Sequence, residues 1–281
     1  MPRGVYDRSK TKTSTAQTKV EPKMTHETDA QIEARLKDRF EVVEDLTRYA
    51  TEGHAKAVII TGPAGVGKSF GVEKILSDWD PTESTYTIVK GYVRTTGLLK
   101  LLYQYRHPNN VIVFDDADTI FYDDNSLNLL KAVCDTTETR KVSYLAESRL
   151  VDEETGELVP RSFIFDGTII FISNLKFDEM IERGHKLAPH LDALISRSHY
   201  IDLAMNTKRD YIIRIKQVIK QGLLKDRGLT VTEQQDVVDF IEKNSDRLRE
   251  LSLRMVIKLA GLRKSSQKWA KTAEITCCKA A

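Results

Sequence analysis

The octapeptide GPAGVGKS at residues 62–69 follows the apolar, β-branched run KAVIIT (56–61) and precedes a helical pattern over 69–79. This placement constrains the fold more than any other feature. A GxxxxGK[ST] pattern cradles phosphate only when a buried strand delivers it and a helix receives it. Gly62, Gly65 and Gly67 permit a backbone curl whose N–H groups surround phosphate oxygens, and the helix N-terminus adds its dipole. Pro63, Ala64 and Val66 complete the loop and Phe70 follows it. Lys68 is then expected to reach the outer phosphates, and Ser69 to ligate Mg²⁺.

The flanking sequence supplies the scaffold. STYTIVKG (84–91), NVIVFDD (110–116) and GTIIFISN (167–174) read as further strands, with helical stretches at 96–106 and 125–135 between them. Alternating strands and helices predict an α/β fold, a parallel sheet flanked by helices. Upstream, Ile32, Leu36, Phe40, Val43, Leu46 and Tyr49 form one apolar helical stripe. After Leu203 three helical patterns follow, near 207–223, 231–243 and 247–268. The expected organisation is a disordered basic tail at 1–28, an α/β nucleotide-binding domain at 29–204, a small all-α lid at 205–268, and a basic C-terminal tail at 269–281. An insertion at 146–167, with a Glu-Thr-Gly turn, predicts a β-hairpin. Its tip, VDEETGE, would repel phosphate, which favours a protein or subunit contact.

Composition excludes some classes. Hydrophobic residues at 41% and charged residues at 30% describe a globular chain. No apolar run approaches the roughly 18–20 residues of a membrane span. The N-terminal segment lacks the apolar core of a secretory signal, so a cytoplasmic location is expected. Cys134, Cys277 and Cys278 make neither a disulfide framework nor a metal site of recognisable spacing. The net charge of +2 is divided: residues 1–23 carry six basic and two acidic groups, and residues 263–281 five and one. Such tails either engage nucleic acid phosphates or remain solvated ends.

VIVFDDAD (111–118) is an apolar strand ending in carboxylates. Asp115 is expected to hold the metal, and Asp116 to orient the attacking water. The alternative is an acidic loop capping the next helix. The order GPAGVGKS, VIVFDDAD, FISN (171–174), ISRS (195–198) and a helical region with SLRMVIKL (252–259) resembles an AAA+ ATPase over roughly residues 30–268. It is similar to the compact proteins of this class carried by bacterial viruses. The resemblance implies ATP and Mg²⁺ as ligands. It places Asn174 at sensor 1, near the γ-phosphate, where the alternative is a turn former or helix cap. It places Arg254 at sensor 2, where a lid arginine touches nucleotide, the alternative being a solvated surface residue.

In the clamp-loader branch a Ser-Arg-Cys triplet presents an arginine to a neighbouring subunit's γ-phosphate, and SRS (196–198) resembles it. Arg197, an unneutralised charge ahead of what reads as a buried strand at 199–203, is therefore expected to complete the neighbour's site in a homo-oligomeric ring or spiral. The bland alternative is a surface arginine. Family members usually have Asp-Glu where this chain has Asp115-Asp116, which puts turnover rate in doubt more than nucleotide binding. Tyr92 and Val93, with Arg94, lie where AAA+ translocases carry a pore loop, or else pack. Three roles stay open: a DNA-metabolism motor or loader, a protein remodeller threading polypeptide past Tyr92, and a slow ATP-dependent assembly switch.

Overall fold

The computed structural model describes residues 27–145, 149–152 and 156–280. In chain order, helix α1 (Asp29–Thr51) leads into β1 (Ala57–Thr61), α2 (Lys68–Trp79), β2 (Tyr86–Lys90), α3 (Thr95–Gln104), β3 (Val111–Asp115) and α4 (Asp124–Val133). Then come β4 (Lys141–Ser143), β5 (Ser162–Ile164), β6 (Thr168–Ser173), α5 (Phe177–Glu182), α6 (Ala188–Ile195) and β7 (His199–Asp202). Four helices finish the chain: α7 (Lys208–Lys220), α8 (Val231–Lys243), α9 (Leu253–Ser265) and α10 (Trp269–Cys277). Thr28 starts α1 through a reciprocal capping box with Gln31. The expectation of a disordered tail thus gives way at Glu27 and Thr28; the rest of that segment lies outside the described residues.

The main sheet has the order β2-β3-β6-β1-β7, and every pairing is parallel. β1, β3 and β6 are buried at every residue, which is why their sequences are continuous apolar runs with no alternation. β7 departs from the sequence reading. It is an edge strand paired only with β1, with His199 exposed and the next three residues half-buried. Without a second neighbour, a strand is not enclosed however apolar its pattern.

One sheet face packs Phe114 against Phe171, and Phe121 edge-on to Phe177 with ring centroids 5.3 Å apart. The opposite face buries Val58, Ile60, Val113 and Ile170 under Phe40 and Val43 of α1 and Val72 and Leu76 of α2. A separate cluster forms the helical lid, where Ile215, Val237, Ile241, Val256, Leu259 and Ala260 meet. Residues 269–277, expected as part of a basic tail, are helix α10 and belong to this cluster. Trp269 lies 5.2 Å from the Phe240 ring, and Ala273 and Cys277 are buried beside it. Lys271, the one basic residue of α10, is exposed on the solvated face of an amphipathic helix, a pattern that charge counting alone reads as a tail. Beyond α10, Arg249 N–H donates to the Cys277 carbonyl and Lys279 N–H to that of Arg247, tying the end of the chain to the lid.

The predicted hairpin is longer than its sequence signal. β4 and β5 pair antiparallel from Lys141↔Ile164 to Ser143↔Ser162, and Val151 bridges Leu158 nearer the turn. Val142, Phe163 and Phe165 bury its base in the main core. The acidic tip residues 153–155 lie outside the described residues.

Helix α1 straps body to lid. Arg39 donates to the Asp202 carbonyl (2.9 Å) in the body. Gln217 of α7 donates to the Glu33 carbonyl (2.6 Å), and Arg35 pairs with the buried Asp210 (3.2 Å).

Candidate functional site

Parallel strands bring Thr61, Lys90, Asp115, Ser173 and Asp202 to one edge of the sheet, so the loops after β1, β2, β3 and β6 share a crevice. Ligands of open α/β sheets bind outside such carboxyl ends. The loop after β1 carries GPAGVGKS. Gly65 and Gly67 take φ of +73° and +102°, and Gly67 is the residue from which α2 departs. Either conformation would strain a residue with a Cβ.

Lys68 is the hub of the crevice. Its ammonium donates to the carbonyls of Gly62 (2.7 Å) and Pro63 (2.9 Å) and to Asn174 Oδ1 (2.8 Å). Burial pushes its pKa down to about 8; Asp116 and Asp115 oppose that, while Arg254 adds to it. Asn174 in turn donates through Nδ2 to Asp116 Oδ1 (2.5 Å). The residues after β1, β3 and β6 are thereby joined in one chain of hydrogen bonds. Ser69 Oγ donates to Asp115 Oδ1 (2.8 Å), so the hydroxyl and carboxylate expected at a metal are adjacent. These are hard oxygen donors of the kind Mg²⁺ takes when phosphates and water fill its remaining positions.

Two groups at this edge were not singled out in the sequence. Lys90 at the end of β2 lies 3.2 Å from Asp115 Oδ2 and 2.6 Å from Glu73 Oε1. The Asp118 carboxyl is pushed above its ordinary range, chiefly by burial and against a hydrogen bond from Ser173. Lys90 has a strand-end position as its only sequence signal, whereas Asp118 stands in the quoted VIVFDDAD.

The lid reaches the phosphate loop through α9. Ser252 caps that helix, Leu253 N–H donates to the Gly65 carbonyl (2.7 Å), and the exposed Arg254 follows. A Cβ on Gly65 would stand 3.8 Å from Arg254 Cγ, which puts this arginine over the loop. Arg214 of α7 also arrives there, its Nε 3.3 Å from the Val66 carbonyl. Sequence reasoning missed Arg214, since an arginine in a charged amphipathic helix carries no motif. Next to the loop, a cavity of about 880 Å³ opens between α1, α2 and α7, lined by Phe40, Gly67, Lys68, Phe70, Arg214 and Gln217 among others. Phe70 is 67% exposed, an apolar side chain at the cavity mouth.

Arg197 stands apart from this network. Its Nη1 donates to the Ala193 carbonyl (2.7 Å) and its Nε lies 3.5 Å from Asp135 Oδ2, with the side chain one-third exposed. The charge is therefore not unneutralised, because α4 ends beside α6 and the segment just after it supplies the Asp135 carboxylate, which no local pattern announces. In the loop after β2, Tyr92 and Val93 separate: Val93 packs on the core, while Tyr92 is 69% exposed with the Arg94 guanidinium 6.0 Å from its ring centroid.

The chain is 37% identical over 231 residues to an uncharacterized 36.7 kDa protein of the nrdC-mobD intergenic region of Enterobacteria phage T4, covering 82% of this chain and 70% of that one. It belongs to the family of that phage protein. No family model matches it. Among solved structures, NtrX from Brucella abortus in complex with ATP superposes with a TM-score of 0.51 at 12% identity. That match covers 82% of this chain, which spans about half of NtrX (51%). RuvB from Thermogota maritima gives 0.49 at 13% identity, covering 86% of this chain and 69% of that one. The chain therefore shares the fold of that NtrX structure, a parallel sheet flanked by helices and followed by a small helical lid.

Proposed function

We propose that the chain binds and hydrolyses ATP with Mg²⁺ at subunit interfaces of a homo-oligomeric ring or spiral. The observation that carries this reading is the chain of hydrogen bonds Lys68–Asn174–Asp116 beside the Ser69–Asp115 pair. The loop N–H groups from Gly62 to Ser69 hold the triphosphate, and Lys68 exchanges its carbonyl partners for phosphate oxygens. Bound Mg²⁺, held by Ser69 and Asp115, would offset charge on the transferring phosphoryl group. Asp116, kept in place by Asn174, orients the attacking water. Arg254 lies over the loop from the lid and reports nucleotide occupancy to it. Arg197, released from Asp135, supplies its guanidinium to a neighbouring subunit's γ-phosphate.

For the work done with this energy, a role in DNA metabolism is the first reading, supported by the likeness of SRS to the clamp-loader triplet and by a relative in a phage. The exposed Tyr92 favours a second: gripping an extended polymer, polypeptide included. If Asp116 activates water poorly, the same site serves as a slow assembly switch. An ATPase assay with single-stranded DNA, duplex DNA, RNA and an unfolded protein separates these, with Lys68→Ala as the blank. Stimulation by DNA supports the first, and stimulation by unfolded protein the second. ATP-dependent assembly without turnover supports the third, and equal turnover in the blank refutes all of them.

A further inference from the structure

Arg214 is only 8% exposed, and it forms no ion pair among the described residues. Burying a guanidinium without a carboxylate is costly. Burial here pulls its pKa down to about 10, with Glu44 the opposing charge. Its hydrogen bonds are long, to Val66 O at 3.3 Å and Gln217 Oε1 at 3.4 Å, while the Phe40 ring centroid lies 3.3 Å from the guanidinium carbon and holds one face of it. Nη2 has no hydrogen-bond partner among the described residues and lies 3.6 Å from the position a Cβ would take on Gly67.

The side of the loop that Arg214 touches limits what it can bind. Phosphates enter a P-loop on the N–H side. Arg214 meets the Val66 carbonyl instead, so it stands outside the cradle, where the cavity of about 880 Å³ begins at Gly67 and Lys68. That volume lies within the roughly 300–1,000 Å³ of small-molecule sites. A group joined to a cradled phosphate and extending into this cavity passes Phe70, Phe40 and Arg214. A guanidinium only donates hydrogen bonds, and it stacks readily on flat rings. The matching ligand part is a planar heterocycle with ring acceptors.

We propose that Arg214 is a specificity-determining residue that recognises the nucleobase, donating from Nη2 to a ring acceptor while Phe40 holds the guanidinium plane. The assignment rests on the phosphate-loop reading above. It makes binding depend on the base, and a bare triphosphate gains nothing from it.

Titration calorimetry of the full chain with Mg²⁺ tests this, using ATP and inorganic tripolyphosphate as probes against wild type, Arg214→Met, Arg214→Lys and Lys68→Ala. Methionine keeps an apolar stem on Phe40 and removes the donors; lysine keeps the charge and loses the fork. Loss of a charge-assisted hydrogen bond predicts ATP affinity at least about tenfold weaker in Arg214→Met, with tripolyphosphate changed less than about twofold. Unchanged tripolyphosphate binding also certifies that the variant is folded. Should Arg214→Met fail to fold, the same split is expected in Arg214→Lys. Equal weakening of both probes would mean that the charge acts on phosphate and would overturn the proposal, as would no change for either. Wild type that binds neither probe, or Lys68→Ala that binds ATP as wild type does, would instead overturn the phosphate-loop reading.

Discussion

Gly65→Ala is expected to uncouple the lid from the phosphate loop at a cost the geometry sets. At φ +73° an alanine costs about 1–2 kcal/mol in the backbone alone. Its Cβ would also stand 2.7 Å from Ser252 Cβ and 3.3 Å from Ser252 Oγ. Neither is the far end of a flexible side chain, so relief requires α9 to move, which stretches the 2.7 Å bond from Leu253 N–H to the Gly65 carbonyl. That bond contributes about 1 kcal/mol. The sum is roughly 2–3 kcal/mol of destabilisation. Ser252→Gly removes the opposing Cβ and costs only a few tenths of a kcal/mol as a helix cap. In the double variant the backbone cost persists and the collision is gone, so about 1 kcal/mol should return. Urea unfolding of wild type, both single variants and the double variant measures this coupling. Additivity within about 0.3–0.5 kcal/mol would refute the claim that α9 rests on Gly65.

Three further outcomes are expected. Burial lowers Lys68 from the ordinary 10.5 to about 8, so the unfolded chain holds this proton through a window in which the native site releases it. Stability of the nucleotide-free protein should then rise by up to about 3 kcal/mol between pH 8 and 10.5, relative to Lys68→Met in parallel denaturant titrations. Trp269→Ala should cost about 3–5 kcal/mol, read as loss of lid structure in hydrogen exchange of α8 and α9, because its ring is buried on Phe240; a solvated tail would lose nothing. The Arg197–Asp135 pair, one-third exposed on both sides, contributes less than about 1 kcal/mol. Arg197→Ala should therefore melt within a few degrees of wild type, keep its nucleotide affinity and lose assembly-dependent hydrolysis, whereas unchanged hydrolysis would refute its role in a neighbour's site.

Contiguous features were legible in the chain. KAVIIT-GPAGVGKS states strand, loop and helix in order, and the apolar runs around 58–60, 111–114 and 169–172 have a composition that only burial on both faces explains. Periodicity placed α8 at 231–243, the bounds it has. Asp115, Asp116 and Asn174 end or follow β3 and β6, and Lys68 and Ser69 open α2 after the loop from β1, so parallel strands bring the five side chains to one edge. The β4–β5 base was harder to read, since three-residue strands have too few positions to display a period.

What the sequence by itself determined is the class of fold and the strand–glycine loop–helix order at residues 56–79, because both are written in residues a few positions apart. Tertiary structure alone decided which distant groups meet. Asp135 reaches Arg197 because α4 ends beside α6, Ser252 reaches Gly65 because the lid folds back over the loop, and Arg214 reaches Val66 across 148 positions of chain. Sheet order likewise put β7 at an edge, and lid packing made α10 of a segment read as a tail. The reason is physical: local pattern reports how a segment buries its own face, whereas a contact between segments depends on which faces the whole chain has already brought together.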